Sequence, residues 1–178
     1  ESLKVLMITH KVLASQQGYE ELLNVLNDGL RNKEDPFLIF FTDTVETIYH
    51  ALDISNTQLL FDALGIKRYP ITQKSEKNKW KSLYSQLSEA RTQKAINVLE
   101  AIIHSQLIPI PPKVDGWYRL YKDFPETMYA SETTIQQFLN LDYAQFIAVR
   151  DFLYPNAHFS TEHGVKGEEY DNVVFVIS

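Results

Sequence analysis

The sequence predicts an α/β protein: a parallel sheet with strands near both chain ends, interrupted by a mostly helical block. Three observations predict it. Val173-Val-Phe-Val-Ile177 is a continuous run of the kind that forms a strand buried on both faces of a parallel sheet. Lys4-Val-Leu-Met-Ile-Thr9, at the opposite end of the chain, is a second short apolar run leading into a loop. Between the two, apolar residues recur at helical rather than alternating spacing.

In chain order, Tyr19, Leu22, Leu23, Leu26 and Leu30 fall on one helical face, and Glu20 and Glu21 suit the positive end of that helix. Asp35-Pro36 reads as an N-cap followed by proline at the first helical position. Phe41, Val45, Ile48, Tyr49 and Leu52 continue the helical spacing, although Phe37 to Phe41 alone also fits a strand. Thr57 to Leu64 forms another short helix, stopped by Gly65. Trp80, Leu83, Tyr84 and Leu87 stripe a helix from Lys77 to Arg91, and Ile96, Leu99, Ile102 and Ile103 mark the next. Pro109, Pro111 and Pro112 forbid regular structure over Ile108 to Lys113. A short helix carries Ile135, Phe138 and Leu139; Asp142, with Gln145 three residues on, opens another through Phe146, Val149, Phe152 and Leu153. After Pro155 the texture changes: His158 to Thr161 is extended, Gly164 to Gly167 is a loop, and the last strand follows.

Composition narrows the function. The 178 residues are 44% hydrophobic, 12% aromatic and 22% charged, which excludes disorder and fibrous repeats. The absence of cysteine excludes a disulfide scaffold and cysteine-ligated metal sites, and fits a reducing, cytoplasmic setting. No apolar stretch approaches the roughly 20 residues of a membrane span, so no membrane partner is expected. The net charge of −6 argues against generic nucleic-acid adhesion, yet Lys67 to Lys94 holds eight basic residues and two acids. That local +6 leaves −12 elsewhere and permits an anionic partner at one place. Lys74, Lys77, Lys79 and Lys81 lie in or just before one helix, where they either touch duplex DNA or form a solvated face.

The segment richest in chemistry runs from Phe159 to Ile177: a strand, a polar loop with two glycines, and a second strand. Gly164 and Gly167 allow close backbone approach to a ligand. Thr161, His163 and Lys166 offer donors to phosphate oxygens, and Glu169 can accept from a sugar hydroxyl. Ligands of open α/β sheets sit beyond the carboxyl ends of the strands, where this loop would lie.

The order Thr161-x-His163-x-x-Lys166-Gly167-x-Glu169-Tyr170-x-x-Val173-Val174 closely resembles motif V of superfamily 1 helicases of the UvrD/Rep/PcrA type. Val5-Leu-Met-Ile-Thr-His10, followed by Ala14 and a helix from Gly18, resembles the opening strand of the second RecA-like domain of those enzymes. The resemblance implies a partial RecA-like parallel sheet, with residues 1–32 its first part, 33–154 an inserted helical domain and 155–178 its remainder. It implies an excised portion of an ATP-dependent DNA helicase that translocates 3′→5′. Thr161 and His163 would contact the single-stranded DNA backbone, Glu169 would hydrogen-bond the nucleotide ribose, and Gly167 would pack near the nucleotide. Lys166 would serve DNA or a local acid, and His10 stands beside a position, Ile8, where the family often carries a DNA-contacting arginine. Glu168 replaces the family's usual leucine, which suggests a divergent branch. ATP and Mg²⁺ would be cofactors of the full-length protein, and its partners would be single-stranded and duplex DNA and an N-terminal RecA-like lobe.

The sequence lacks Gly-x-x-x-x-Gly-Lys-Ser/Thr, a paired-acid strand end and an arginine-rich segment after Ile177. The phosphate-binding lysine, the magnesium ligands and the charge-stabilising arginine would therefore come from elsewhere, and this piece alone is expected to bind no cofactor and hydrolyse no ATP. An alternative reading is a DNA- or protein-binding regulatory module that keeps the motor scaffold without coupled ATPase activity. His10, His158 and His163 have no metal-ligand spacing, and Ser160 and His163 have no evident orienting acid. Trp117, Tyr118 and Tyr121 suit packing of the insertion better than stacking of bases.

Overall fold

Where apolar residues repeat at helical spacing, the chain forms helices. The computed structural model describes residues 3–7, 10–26, 30, 33–65, 74–130, 132–153, 159–161 and 172–176, and for 3–7, 10, 159–161 and 172–176 the backbone only. After β1 (Leu3–Met7) come α1 (His10–Gln17), α2 (Glu20–Leu26) and α3 (Pro36–Ile39), then a π-helical turn (Phe40–Val45) that runs into α4 (Glu46–Asp53). Next are α5 (Thr57–Leu64), α6 (Lys74–Ala90), α7 (Ala95–Ser105) and α8 (Pro112–Asp123). A small hairpin, β2 (Met128–Ala130) and β3 (Thr133–Thr134), leads to α9 (Ile135–Leu139) and α10 (Ala144–Leu153); β4 (Phe159–Thr161) and β5 (Asn172–Val176) close the chain.

The expected α/β class, a partial RecA-like sheet with an insertion, is corrected: the protein is mostly helical. β4, β1 and β5 pair in parallel in that order, but no strand among the described residues exceeds five residues. Of the helices, α1 lies against β1 and β4 and α9 against the β2–β3 hairpin, while the others pack mainly on one another. The reason lies in where apolar surface finds cover. A short apolar run at one chain end and a β-branched run at the other suggested a sheet as the organising layer, yet the described core, from Leu13 to Val149, is built from helices and their connections. That core is continuous across residue 32: Tyr19 stacks on Phe152 with ring centroids 5.9 Å apart.

Local chemistry explains the helix borders. Asp35 caps α3 by accepting from the amides of Phe37 (3.0 Å) and Leu38 (2.9 Å), with Pro36 in the first turn. Asn56 caps α5, and Gly65 ends it at φ +66°, a left-handed conformation suited to glycine. Helix α6 starts at Lys74, three residues before its expected start at Lys77. The proline-rich stretch is irregular only to Pro111; Pro112 occupies the first turn of α8, where its missing N–H costs no hydrogen bond. Trp117, Tyr118 and Tyr121 therefore sit on a helix, and Trp117 meets the Tyr129 ring edge-on at 4.8 Å. Phe37 to Phe41 is helical, not a strand.

Gln145 does not fold back on its own helix. It accepts from the Leu22 amide at 2.9 Å and donates to Glu21 at 2.8 Å, tying α10 to α2. The reciprocal capping box lies instead between Thr134 and Gln137, at the start of α9.

The Asp35 carboxylate also accepts from the Tyr129 hydroxyl. Burial raises the Asp35 pKa, outweighing the lowering by Tyr129 and the amides of Leu38 and Phe37. A folded-state pKa above the unfolded one means that proton uptake stabilises the fold. That contribution is complete below the ordinary value of 3.8 and is lost as pH rises through the elevated value. Asp35→Asn keeps Oδ1 as the acceptor for the cap amides, turns an Nδ2 donor toward the Tyr129 hydroxyl oxygen, and carries no charge. Relative to the parent it is expected to gain stability as pH rises across that window. Denaturant midpoints recorded at acid and neutral pH check this; parallel profiles for the two proteins would refute it.

Candidate nucleic-acid and nucleotide interface

Parallel pairing fixes which residues share one end of the sheet. Met7 is in register with Thr161 of β4 on one side and with Val176 of β5 on the other. The carboxyl ends of β1 and β4 thus lie side by side, and α1 begins at His10, just beyond β1. Thr161 and His10 are brought to the same end of the sheet by backbone placement alone. His163, Lys166, Gly167 and Glu169 lie outside the described residues.

The four lysines expected to act together are divided by the helix. Lys74, Lys77, Lys79 and Lys81 are all exposed on the first half of α6, and none forms an ion pair among the described residues. Lys77 and Lys81, one turn apart, border a cleft of about 640 Å³ between α6 and the α4–α5 turn. Lys79 instead borders a different hollow, which includes Ser82, Gln86 and His104. A single four-lysine surface is therefore not formed, because a step of two residues turns a side chain to the far side of a helix.

The cleft also contains residues that sequence reasoning assigned only to core packing. Trp80 is 4% exposed, and its indole N–H is buried without a hydrogen-bond partner. The Tyr84 ring stacks on Tyr49 at 5.3 Å, and its hydroxyl donates to Asp53 at 2.7 Å. That hydrogen bond first, and Tyr49 second, push the Tyr84 hydroxyl up to about 12. The sequence signal for this face is the pattern Lys77, Trp80, Lys81, Tyr84, in which cations and aromatics share one helical stripe. Its second wall, from Ala51 to Leu60, lies more than a helix away in sequence and carries no comparable signal.

Glu46 of α4 and Arg91, the residue after α6, form a bidentate ion pair. Arg91 Nε and Nη2 donate to the two Glu46 carboxylate oxygens at 2.8 and 2.7 Å, and the guanidinium lies 3.7 Å from the Tyr49 ring centroid. Burial opposes the Arg91 charge, but the Glu46 hydrogen bond and charge hold its pKa above the ordinary value. Burial, and then the Glu46 carboxylate, push the Tyr143 hydroxyl well above the ordinary phenol range.

Among the described residues no group of three or more histidines and acids could hold a metal ion. No described helix is long and apolar enough to cross a membrane. Comparison with protein-family models, with curated proteins and with solved structures returned no match.

Proposed function

We propose that this chain is part of an ATP-dependent DNA helicase or translocase of the UvrD/Rep/PcrA type, contributing single-strand contacts and part of the nucleotide site. The observation that carries the reading is the motif Thr161-x-His163-x-x-Lys166-Gly167-x-Glu169. In support, the segment leaves β4 beside the carboxyl end of β1 and rejoins the sheet through β5.

The chemistry follows from residue type. Thr161 and His163 donate hydrogen bonds to phosphodiester oxygens, which fixes a strand's position without reading its bases. Glu169 accepts from a ribose hydroxyl, and Gly167 lets the backbone come close to the nucleotide. One loop would then touch both ligands, so a change at the nucleotide reaches the DNA through a few peptide units. Phosphate-binding, magnesium-binding and charge-stabilising groups would come from a second lobe, and repeated closure of the lobes would move the motor 3′→5′.

In the full-length protein, Glu169→Ala is expected to remove a charge-assisted ribose contact worth about 1.5–3 kcal/mol. Nucleotide titration should show the corresponding fall in affinity, of about ten- to a hundredfold. Unchanged affinity, with unchanged coupling of hydrolysis to unwinding, would favour the regulatory-module reading.

A further inference from the structure

Among the described residues, folding leaves four large apolar side chains exposed, and three of them fall at just two places. Ile54, 50% exposed, sits between Asp53 and Ser55 on the rim of the cleft between α6 and the α4–α5 turn. Phe124, 65% exposed, and Met128, 52% exposed, stand at the corner where α8 gives way to β2. Single exposed apolar residues are ordinary, whereas apolar residues grouped on one turn form a patch that a partner can cover.

The corner is held outward by its backbone. Proline disfavours helical geometry at the residue before it, so the chain leaves α8 at Phe124, where φ is −140°. The Phe124 amide still donates to the Leu120 carbonyl at 2.7 Å, and the Phe124 carbonyl accepts from the Thr127 amide at 3.0 Å. The Pro125 and Thr127 carbonyls accept from the amides of Gln136 and Ile135, at 3.2 and 2.8 Å, which fastens the turn to α9. A turn anchored in this way loses little freedom when it is covered. Asp123 and Glu126 flank Phe124, are exposed, and form no ion pair among the described residues. One rigid turn therefore presents an aromatic ring, a thioether and two unmatched negative charges.

The cleft presents the complement. Leu52, Leu60 and the nearly covered Trp80 ring make its wall apolar, and its volume of about 640 Å³ has room for a phenyl ring and a thioether. Lys77 and Lys81 stand on its α6 edge with no ion-pair partner among the described residues. Asp53, the one carboxylate among the described lining residues, already accepts from the Tyr84 hydroxyl. A small anion would leave the apolar wall uncovered, and an uncharged apolar segment would leave both lysines unmatched. The corner supplies both kinds of group, and every copy of the chain carries it.

We propose that the cleft of one copy of this chain receives the α8–β2 corner of a second copy. Phe124 and Met128 lie against Leu52, Leu60 and Ile54, and Asp123 and Glu126 face Lys77 and Lys81. The contact joins two different surfaces and is therefore heterologous. One ring and one thioether cover little area, which places the assembly in the transient class. The inference uses none of the motif V residues and stands apart from the motor reading.

The test is the mass of the full chain by sedimentation equilibrium, from micromolar to millimolar concentration at low salt. The mass is expected to rise above that of one chain with concentration and to fall back as salt screens the charges. Phe124→Ser should weaken association by about thirtyfold or more. Lys79→Glu, which borders a different hollow, should leave it unchanged. Lys77→Glu with Lys81→Glu, and separately Asp123→Lys with Glu126→Lys, should each hold the chain at single-chain mass. All four positions are exposed, so circular dichroism of both variants should match the parent. An equimolar mixture of the two variants should associate again. There the unaltered corner of the first meets the unaltered cleft of the second, and the reversed corner meets the reversed cleft. A single-chain mass at every concentration, association that survives either charge reversal, or a mixture that fails to associate would overturn the proposal. A chain that stays single while its cleft binds an acidic aromatic peptide would give the cleft to a different protein and overturn it equally.

Discussion

Arg91→Ala is expected to cost about 3–5 kcal/mol of folding stability, far more than its position near the end of α6 suggests. The Glu46 side chain is 4% exposed and that of Arg91 18%, so the pair is largely removed from water. Removing the guanidinium takes away both donors to Glu46 and the cation over Tyr49. A buried carboxylate without a counter-charge is far costlier than either group paired. Against total stabilities of about 5–15 kcal/mol, such a loss is a large fraction of the whole. Glu46→Leu with Arg91→Met should recover most of the stability, because it removes both charges and keeps similar volume. Urea midpoints of the single and double variants measure both effects. A single variant losing under about 1 kcal/mol would mean that the pair behaves as a surface ion pair.

This pair also marks how far the sequence could be read. Signals carried within a few residues were legible: the Asp35 cap, the stop of α5 at Gly65, and the helical stripes that became α6 and α7. Pairings across long separations were not. Glu46 meets Arg91 45 positions away, and Gln145 meets Leu22 123 positions away. Nothing local distinguishes such a glutamine from a capping one. The fold class failed for a related reason: a strand run announces itself in five residues, whereas its share of the core depends on everything else. Of the candidate site, the sheet-end positions of His10 and Thr161 follow from register. The cleft was illegible because α6 supplies only one of its walls.

Phe41→Ala is expected to cost about 3–5 kcal/mol as well, by a different mechanism. Phe41 is fully buried in the π-helical turn, with its ring centroid 4.9 Å from Phe146, 5.3 Å from Tyr143, 5.8 Å from Phe37 and 5.9 Å from Phe40. Four aromatic partners from three chain segments cannot all collapse into the space of one lost ring, so a cavity remains. The turn itself is anchored: the Thr42 hydroxyl donates to the Leu38 carbonyl at 2.8 Å, and Arg150 Nε donates to the Thr42 carbonyl at 3.0 Å. Those bonds restrain the backbone from following the deletion and push the cost toward the upper end of the range. Phe41→Leu should recover much of the loss by refilling volume. Ile39→Ala, two residues away but 39% exposed, should cost under about 1 kcal/mol. A lower denaturant midpoint at unchanged slope identifies lost packing, and a changed slope identifies an altered compactness. Equal losses at Phe41 and Ile39 would show that the aromatic cluster is not the centre of the core.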